Sequence, residues 1–149
     1  LALAKRQGHG VGLLFLDLNN FKPVNDRYGH STGDALLKAG GQRLLEHVRE
    51  SDTLCRQGGD EFVLLIPHAP ELDQLVAIAR KLSEQLEQPF DDLQNLPSDI
   101  HVSASIGIAR WPDHADDADS LIEAADTEMY EAKHQQGEAI ATASAQPKA

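Results

Sequence analysis

The sequence predicts an α+β domain of the split βαβ, ferredoxin-like type, in which helices flank a central, mainly antiparallel sheet. Residues 11–18 are a nearly continuous apolar run, which is typical of a strand buried on both faces. Gly58 and Gly59 separate two strand-like segments, residues 53–56 and 62–66, and indicate a tight hairpin with both glycines at positive φ. Segments with helical periodicity precede and follow this hairpin, as that fold class requires.

Each remaining element has its own local signal. The first helix carries Leu37, Leu44 and Val48 on one stripe, Pro89 ends the second helix, and a capping box at residues 120–123 opens the last one. The predicted elements after the first strand are, in order, a helix over 31–50, the hairpin, a helix over 71–87, a loop or minor hairpin over 89–99, a strand over 101–109 and a helix from 120 through Lys133.

Composition restricts both the organisation of the chain and its partners. The 149 residues suffice for one domain, expected over 1–136, and the tail 137–149 is expected to be disordered. Acidic residues outnumber basic ones 24 to 13, and the net charge of −11 argues against binding to DNA or RNA. No apolar run approaches the roughly 20 residues that cross a bilayer, so we expect no membrane contact by this segment. Cys55, the single cysteine, is expected to be a small buried strand residue in a reducing, cytoplasmic compartment.

Acidic residues stand at two unusual places. Asp17 lies near the end of the buried first strand, where a carboxylate needs a basic partner or a cation. Lys22 is the nearest basic residue, and a plain salt bridge is one reading. Asp60 and Glu61 follow the glycine turn, where they suit a divalent metal or simply form a solvated turn. If the first strand and the hairpin are neighbours at the sheet centre, Asp17 and Asp60 converge on one edge and can bind Mg²⁺.

Two longer motifs extend these observations. Asp17 is followed by Leu-Asn-Asn-Phe-Lys-Pro-Val-Asn-Asp and, from Gly29, by Gly-His-Ser-Thr-Gly-Asp. Together with Gly-Gly-Asp-Glu-Phe at 58–62, this stretch closely resembles the GGDEF family of diguanylate cyclases, over about residues 11–135. The resemblance implies the palm-like architecture of nucleotide cyclases and polymerases. It also implies that two GTP molecules are condensed to cyclic di-GMP, with release of two pyrophosphates, by a homodimer.

The resemblance assigns the acidic residues to catalysis and to metal binding. Asp17 and Asp60 are the implied ligands of Mg²⁺, for which Mn²⁺ is an alternative, and the Leu18 carbonyl is a third ligand. Glu61 is implied either as a second metal contact or as the group that helps deprotonate the attacking hydroxyl.

The resemblance also assigns the substrate contacts. Asn25 and Asp34 match the positions that hold guanine, although a negative residue in the first turn of a helix, as expected for Asp34, is also favoured by the helix dipole. Lys133 matches a residue that supplies positive charge to the phosphates, although a solvated lysine near a helix end is an ordinary feature. The remaining implied phosphate contacts are Asn20, Phe21 and Lys22.

An Arg-x-x-Asp pattern precedes the hairpin. Arg49 and Asp52 match the inhibitory site of the family, where cyclic di-GMP binds, and Arg80 matches a further arginine of that site. Arginine suits this role because its planar fork holds phosphate and guanine edges in a fixed geometry. The alternative is a surface ion pair at a helix end.

One departure from the family pattern keeps a second function open. After Lys133 the family usually shows Gly-Arg-Asn, but this chain has His134-Gln135-Gln136, which removes a positive contact to the phosphates. The chain is therefore either an active cyclase or a weak or inactive domain that binds GTP or cyclic di-GMP and regulates a larger signalling protein, which could be membrane-anchored. A dimerisation module without a ligand is a third reading.

Overall fold

A single five-stranded sheet organises the structure, a computed structural model that describes residues 10–19, 21–69, 71–90, 102–134 and 140–143. The strand order is β2-β3-β1-β4-β5, and only the β4–β5 pair is parallel. The elements are β1 (Gly10–Asn19), α1 (Phe21–Tyr28), α2 (His30–Glu46), β2 (Thr53–Gly58), β3 (Glu61–Ala69), α3 (Leu72–Glu87), β4 (Ser103–Trp111), α4 (Ala118–His134) and β5 (Ile140–Thr142).

Strand β1 lies at the centre of the sheet and is buried on both faces, as its apolar run predicts. On one face Leu14, Leu16 and Leu18 pack in a core that includes α2 and α3. On the other face Leu13 and Phe15 pack in a second core that includes α4. Alternate residues of one strand thus bind two helical layers to one sheet, and the predicted α+β class is confirmed.

Helix α4 lies directly on the backbone of β4 at Gly107. A Cβ atom at this position would be 2.0 Å from the carbonyl oxygen of Ala125 and 2.2 Å from the backbone nitrogen of Met129. Only a residue without a side chain allows the helix and the strand to approach so closely. This contact fixes α4 over the sheet and directs its last turn toward the end of β1.

A short helix, α1, was not predicted, and the helix expected over 31–50 is α2, which ends at Glu46. Gly29 separates the two helices with a φ of 91°, a left-handed value that glycine adopts without strain. Because α2 begins at His30, Asp34 lies beyond its first turn rather than within it, and the helix-dipole reading of Asp34 loses its basis.

The start of α4 also differs from its prediction. The helix begins at Ala118, and its N-terminus is capped by Asp117 rather than by Ser120. The Asp117 carboxylate accepts the backbone N–H of Ser120 at 2.8 Å, and the Asp117 carbonyl accepts that of Leu121 at 3.0 Å. The hydrogen bonds from Ser120 lower the pKa of Asp117, as expected for a carboxylate cap.

Both edge strands bring a correction. Residues 140–142, expected in a disordered tail, form β5 in parallel with β4, and the Ala143 N–H donates to the Ile108 carbonyl at 2.9 Å. Cys55, expected to be buried, is exposed because β2 is the opposite edge of the sheet. Residues 1–9, 20, 70, 91–101, 135–139 and 144–149 lie outside the described residues, and so do the predictions made for them. Among the described helices, none has the length and apolar character needed to cross a bilayer.

Candidate functional site

The hairpin turn docks against the end of β1. Asp17 and Glu61 are directly opposite each other in the β1–β3 pairing, and the Leu18 N–H donates to the Asp60 carbonyl at 3.0 Å. Residues opposite each other on antiparallel strands project from the same face of the sheet. The structure therefore brings the predicted acidic residues Asp17, Asp60 and Glu61 together at adjacent ends of the neighbouring strands β1 and β3, which we call the acidic edge.

The turn itself is shifted by one residue from its prediction. Gly58 pairs with Glu61, so Gly59 and Asp60 are the two turn residues, and of the two glycines only Gly59 has a positive φ, at 44°. The Arg56 guanidinium donates through Nε to the Gly59 carbonyl at 2.9 Å. This bond holds the turn that presents Asp60.

Asp17 is only 5 % exposed and is paired with Lys133. The Lys133 Nζ donates to Asp17 Oδ2 at 2.5 Å, so Asp17 has a basic partner, which comes from α4. The side chain of Lys22, the partner considered from the sequence, lies outside the described part of the structure. The other oxygen, Asp17 Oδ1, is buried and accepts no hydrogen bond from the described part of the chain. One oxygen of this carboxylate is therefore paired with an ammonium group, and the other has no hydrogen-bond partner among the described residues.

Like charges crowd the site. Burial raises the pKa of Asp17, the hydrogen bond from Lys133 opposes that rise, and the Asp60 carboxylate adds to it. The pKa of Glu61 is also raised, first by burial and then by the charges of Asp17, Asp126 and Asp60. The hydrogen bond to Asp17 raises the pKa of Lys133. Carboxylates that disfavour one another's charge are stabilised together by a cation.

The donor set fits Mg²⁺ better than a metal enclosed by protein ligands. No group of three His, Cys, Asp or Glu side chains within the described ranges is close enough to hold a metal ion. Mg²⁺ needs no such group, since it commonly uses one or two carboxylates and keeps several waters and substrate phosphates as ligands. The buried Asp17 Oδ1, which lacks a hydrogen-bond partner among the described residues, is an oxygen donor of this kind.

Asp126 is an exposed acidic residue near the site that the motif analysis did not include. Its charge acts on Glu61, and it lies on α4 seven residues before Lys133. Positions seven apart lie on the same side of a helix, so this spacing was the signal that could have revealed it.

A polar cluster on β1 and β4 adjoins the site and was also missed. The Asn19 Nδ2 donates to Ser103 Oγ at 3.1 Å and to Ser105 Oγ at 3.2 Å, and Ser105 donates back to Asn19 Oδ1. Ser105 lies opposite Asp17 in the β1–β4 register. The cluster therefore fixes the end of β1 where Asp17 is located.

The two predicted guanine contacts lie on different helices. Asp34 on α2 is exposed and lines a cavity of about 610 Å³ between that helix and the hairpin, together with Leu37, Arg56 and Phe62. Asn25 on α1 is half-buried and is not among the residues that line this cavity, but its Oδ1 has no partner among the described residues.

The predicted phosphate contacts are only partly described. Phe21 and Lys22 lie at the start of α1, and Asn20 is outside the described residues. Their phosphate role remains a prediction. Lys133, the fourth residue of this group, lies at the acidic edge in its pair with Asp17.

The structure brings Arg49 and Asp52 together in the turn before β2. The Asp52 carboxylate accepts the Arg49 backbone N–H at 3.0 Å and faces its guanidinium at 3.5 Å. The Asp52 side chain is 4 % exposed and that of Arg49 is 54 % exposed. Arg80 instead lines a cavity of about 490 Å³ beside β5, with Glu128 and Glu131, and its place in an inhibitory site remains a prediction.

Comparisons with known proteins identify the family of this chain. A family model described as "Diguanylate cyclase, GGDEF domain" matches residues 1–139. The chain is 42 % identical over 132 residues to the bifunctional diguanylate cyclase/cyclic di-GMP phosphodiesterase MucR of Pseudomonas aeruginosa, covering 89 % of this chain and 19 % of that protein. It is 41 % identical over 126 residues to the diguanylate cyclase TpbB of the same species, covering 84 % of this chain and 28 % of that protein.

Solved structures extend the likeness to the fold. The crystal structure of the GGDEF domain of TpbB superposes with a TM-score of 0.88 at 33 % identity, covering 97 % of this chain and 89 % of that one. An EAL/GGDEF domain protein from M. capsulatus gives a TM-score of 0.80 at 39 % identity, covering 93 % of this chain and 88 % of that one. The chain spans 19 % to 28 % of the length of the two curated relatives named above. The family match over most of the sequence, supported by these relatives, shows that the chain belongs to the GGDEF domain family of diguanylate cyclases.

Proposed function

We propose that this domain is an active diguanylate cyclase, which joins two GTP molecules into cyclic di-GMP and releases two pyrophosphates. The observation that carries the proposal is the placement of Asp17, Asp60 and Glu61 at one edge of the sheet, with a buried oxygen of Asp17 still lacking a partner among the described residues. A divalent cation would give this buried oxygen a partner, which the ion pair with Lys133 does not supply.

The reaction consists of two equivalent displacements. The 3′-hydroxyl oxygen of one GTP forms a bond to the α-phosphorus of the other, and the bond from that phosphorus to the oxygen bridging to the β-phosphate breaks. Pyrophosphate leaves, and the hydroxyl proton passes to a base. A raised pKa makes the Glu61 carboxylate a stronger base, which supports this role beside the alternative of metal contact. Mg²⁺, when bound at Asp17 and Asp60 with the Leu18 carbonyl, neutralises charge on the phosphates.

The domain needs a second copy of itself for this chemistry. Each domain holds one GTP, so two domains must face each other in a homodimer before either hydroxyl reaches a phosphorus. Asn25 and Asp34 hold guanine, and residues 20–22 with Lys133 contact the phosphates. The product in turn inhibits the enzyme by binding Arg49 and Asp52, with Arg80 as a further contact.

Removal of the Asp60 carboxylate tests the proposal. With GTP and Mg²⁺, the parent chain in a dimerised form should produce cyclic di-GMP, measured by mass spectrometry. Asp60→Asn should lower turnover by more than about 100-fold, because it removes a proposed ligand itself rather than an outer partner of one. Asp116→Asn, an exposed position away from the site, is the matched control and should retain activity. A parent that binds GTP but makes no product would contradict the proposal.

One comparison favours a second candidate function, a regulatory domain that binds nucleotide without turnover. The chain is 38 % identical over 132 residues to PdeR of Escherichia coli, which is named as a cyclic di-GMP phosphodiesterase. The change to His134-Gln135 after Lys133 agrees with this candidate. Calorimetry with GTP would then show binding, whereas product formation by the same sample would exclude it.

A further inference from the structure

The Lys133–Asp17 ion pair lies at the position where the proposed metal must bind. We propose that the Lys133 ammonium and the divalent cation compete for the Asp17 carboxylate, so that the metal binds weakly alone and strongly together with a nucleoside triphosphate. This inference rests on the proposed function, since it takes Asp17 as a metal ligand.

The geometry of the Lys133–Asp17 pair indicates that the ammonium and a metal ion cannot share the carboxylate. Lys133 Nζ is 2.5 Å from Asp17 Oδ2, in a site where the carboxylate side chain is 7 % exposed. The two oxygens of one carboxylate are adjacent, so a cation at the buried Oδ1 lies close to the ammonium on Oδ2. Two positive charges at such a distance repel each other, and the burial of the Asp17 carboxylate limits the screening of this repulsion by water. A divalent cation therefore binds fully only when the lysine moves away.

The surroundings of Lys133 allow that movement without a change of fold. The close contact of Ala125 and Met129 with Gly107 fixes the α4 backbone two turns and one turn before the lysine. The Lys133 side chain is 39 % exposed and ends a flexible four-carbon stem, so the ammonium can leave Asp17 while the helix stays in place. The displaced ammonium remains tethered beside the site.

The displaced ammonium then needs an anion. Asp60 and Glu61 are near, but the incoming metal takes part of their charge. The phosphates of a nucleoside triphosphate bring new negative charge with the metal, and they give the ammonium a partner to replace Asp17. Metal and nucleotide thus assist each other's binding through one lysine, which is a reciprocal coupling between two ligands.

Binding of Mn²⁺ to the nucleotide-free protein, followed by electron paramagnetic resonance, tests the competition. Lys133→Met should tighten Mn²⁺ binding by roughly tenfold, within the usual range of such couplings. Lys81→Met makes the same change in net charge at an exposed position on α3 and should leave the affinity within about twofold of the parent. A GTP analogue with a non-cleavable α–β linkage should tighten Mn²⁺ binding in the parent more than in Lys133→Met.

Two further measurements keep the outcome decisive. Lys133→Gln is the second variant if Lys133→Met does not fold, and Mn²⁺ should raise its melting temperature by more than that of the parent. Mn²⁺ affinity equal to or weaker than the parent's in the folded Lys133 variant overturns the competition. Asp17→Asn separates the two proposals: if it retains the parent's Mn²⁺ affinity, both the metal role of Asp17 and the competition fail. If Asp17→Asn binds Mn²⁺ more weakly than the parent while the Lys133 variant binds it with the parent's affinity, only the competition fails.

Discussion

Asp17 and His114 are both buried titratable residues, and burial shifts the pKa of each in the direction that favours its uncharged form. The pKa of the Asp17 carboxyl is raised and that of the His114 imidazole is lowered, first by desolvation in both cases. Asp17 belongs to the candidate site, whereas His114 follows β4 and serves the fold. Its Nδ1 accepts the Arg110 backbone N–H at 2.8 Å, which requires that nitrogen to be unprotonated.

The stability of the domain should therefore fall in mildly acidic solution through His114. The unfolded chain takes up a proton near the ordinary pKa of 6.5, while the folded chain resists it to lower pH. The contribution of His114 is present above pH 6.5 and is lost as the pH falls through the lowered folded value. His114→Asn keeps an acceptor but does not titrate. The free energy of unfolding, measured with urea at pH 7.5 and at pH 5.5, should fall in both proteins. The fall should be larger in the parent than in His114→Asn by up to about 1 kcal/mol. Equal losses would contradict this account.

The positions of single residues were predictable where the motif itself supplied them, and less so where partners come from distant segments. The proximity of Asp17 and Asp60 was expected from a strand end and a turn, on the assumption that the two strands are neighbours, and the β1–β3 pairing confirms that assumption. The family resemblance placed Glu61 beside them. The partner of Asp17 was not predicted, because Lys133 is 116 residues away and only the packing of α4 brings it there. Lys22 was merely the nearest lysine in the sequence.

Elements with a strong apolar period were predicted well, and those that depend on tertiary contact were missed. β1, the hairpin, α3 and β4 have such patterns, and the structure contains all four close to their predicted bounds. Helix α1 is only eight residues long and polar, and β5 is three residues long. A short segment carries too few residues to show a period, so its structure is decided by the surface on which it packs.

The contact of α4 with β4 should make Gly107 intolerant of a side chain. Gly107→Ala places a methyl group against backbone atoms that cannot rotate away, so the helix must shift. We expect a loss of about 3 kcal/mol in the free energy of unfolding, at the upper end for overpacking because the clash is with backbone.

Gly58→Ala is the matched control for this substitution. A Cβ at Gly58 meets nothing within 4 Å, and this glycine has no positive φ. Its unfolding free energy should stay within about 0.5 kcal/mol of the parent. Similar stabilities for the two alanine variants would show that α4 is not held at the distance described.

At the scale of the whole molecule, the β2–β3 hairpin connects the two turns for which we propose a function. The proposed catalytic turn lies at one end of β2, and the Arg49–Asp52 turn lies at the other, where the Arg49 Nη2 also donates to the His68 carbonyl at 3.4 Å. Six strand residues separate the ends by about 20 Å. If the product binds at Arg49 as proposed, it would act on catalysis from a distance rather than by filling the substrate site of the same domain.

Arg49→Ala should abolish product inhibition and leave the initial rate unchanged. The variant loses the planar guanidinium group that would bind the product, while the acidic edge about 20 Å away is unchanged. The measurement is the initial rate of the dimerised form at increasing cyclic di-GMP. Arg49→Lys keeps the positive charge but not the planar guanidinium group, and it should show intermediate inhibition. Inhibition of Arg49→Ala at the parent's product concentration would remove Arg49 from this role.

Exposure of Cys55 on the edge strand gives the chain a built-in attachment point. It is the single thiol of the 149 residues, and it lies within strand β2, between the two turns that flank that strand. A nitroxide label could be placed there without first replacing any other residue. The spin–spin distance between two labelled copies would then report how closely their hairpins approach while nucleotide is added.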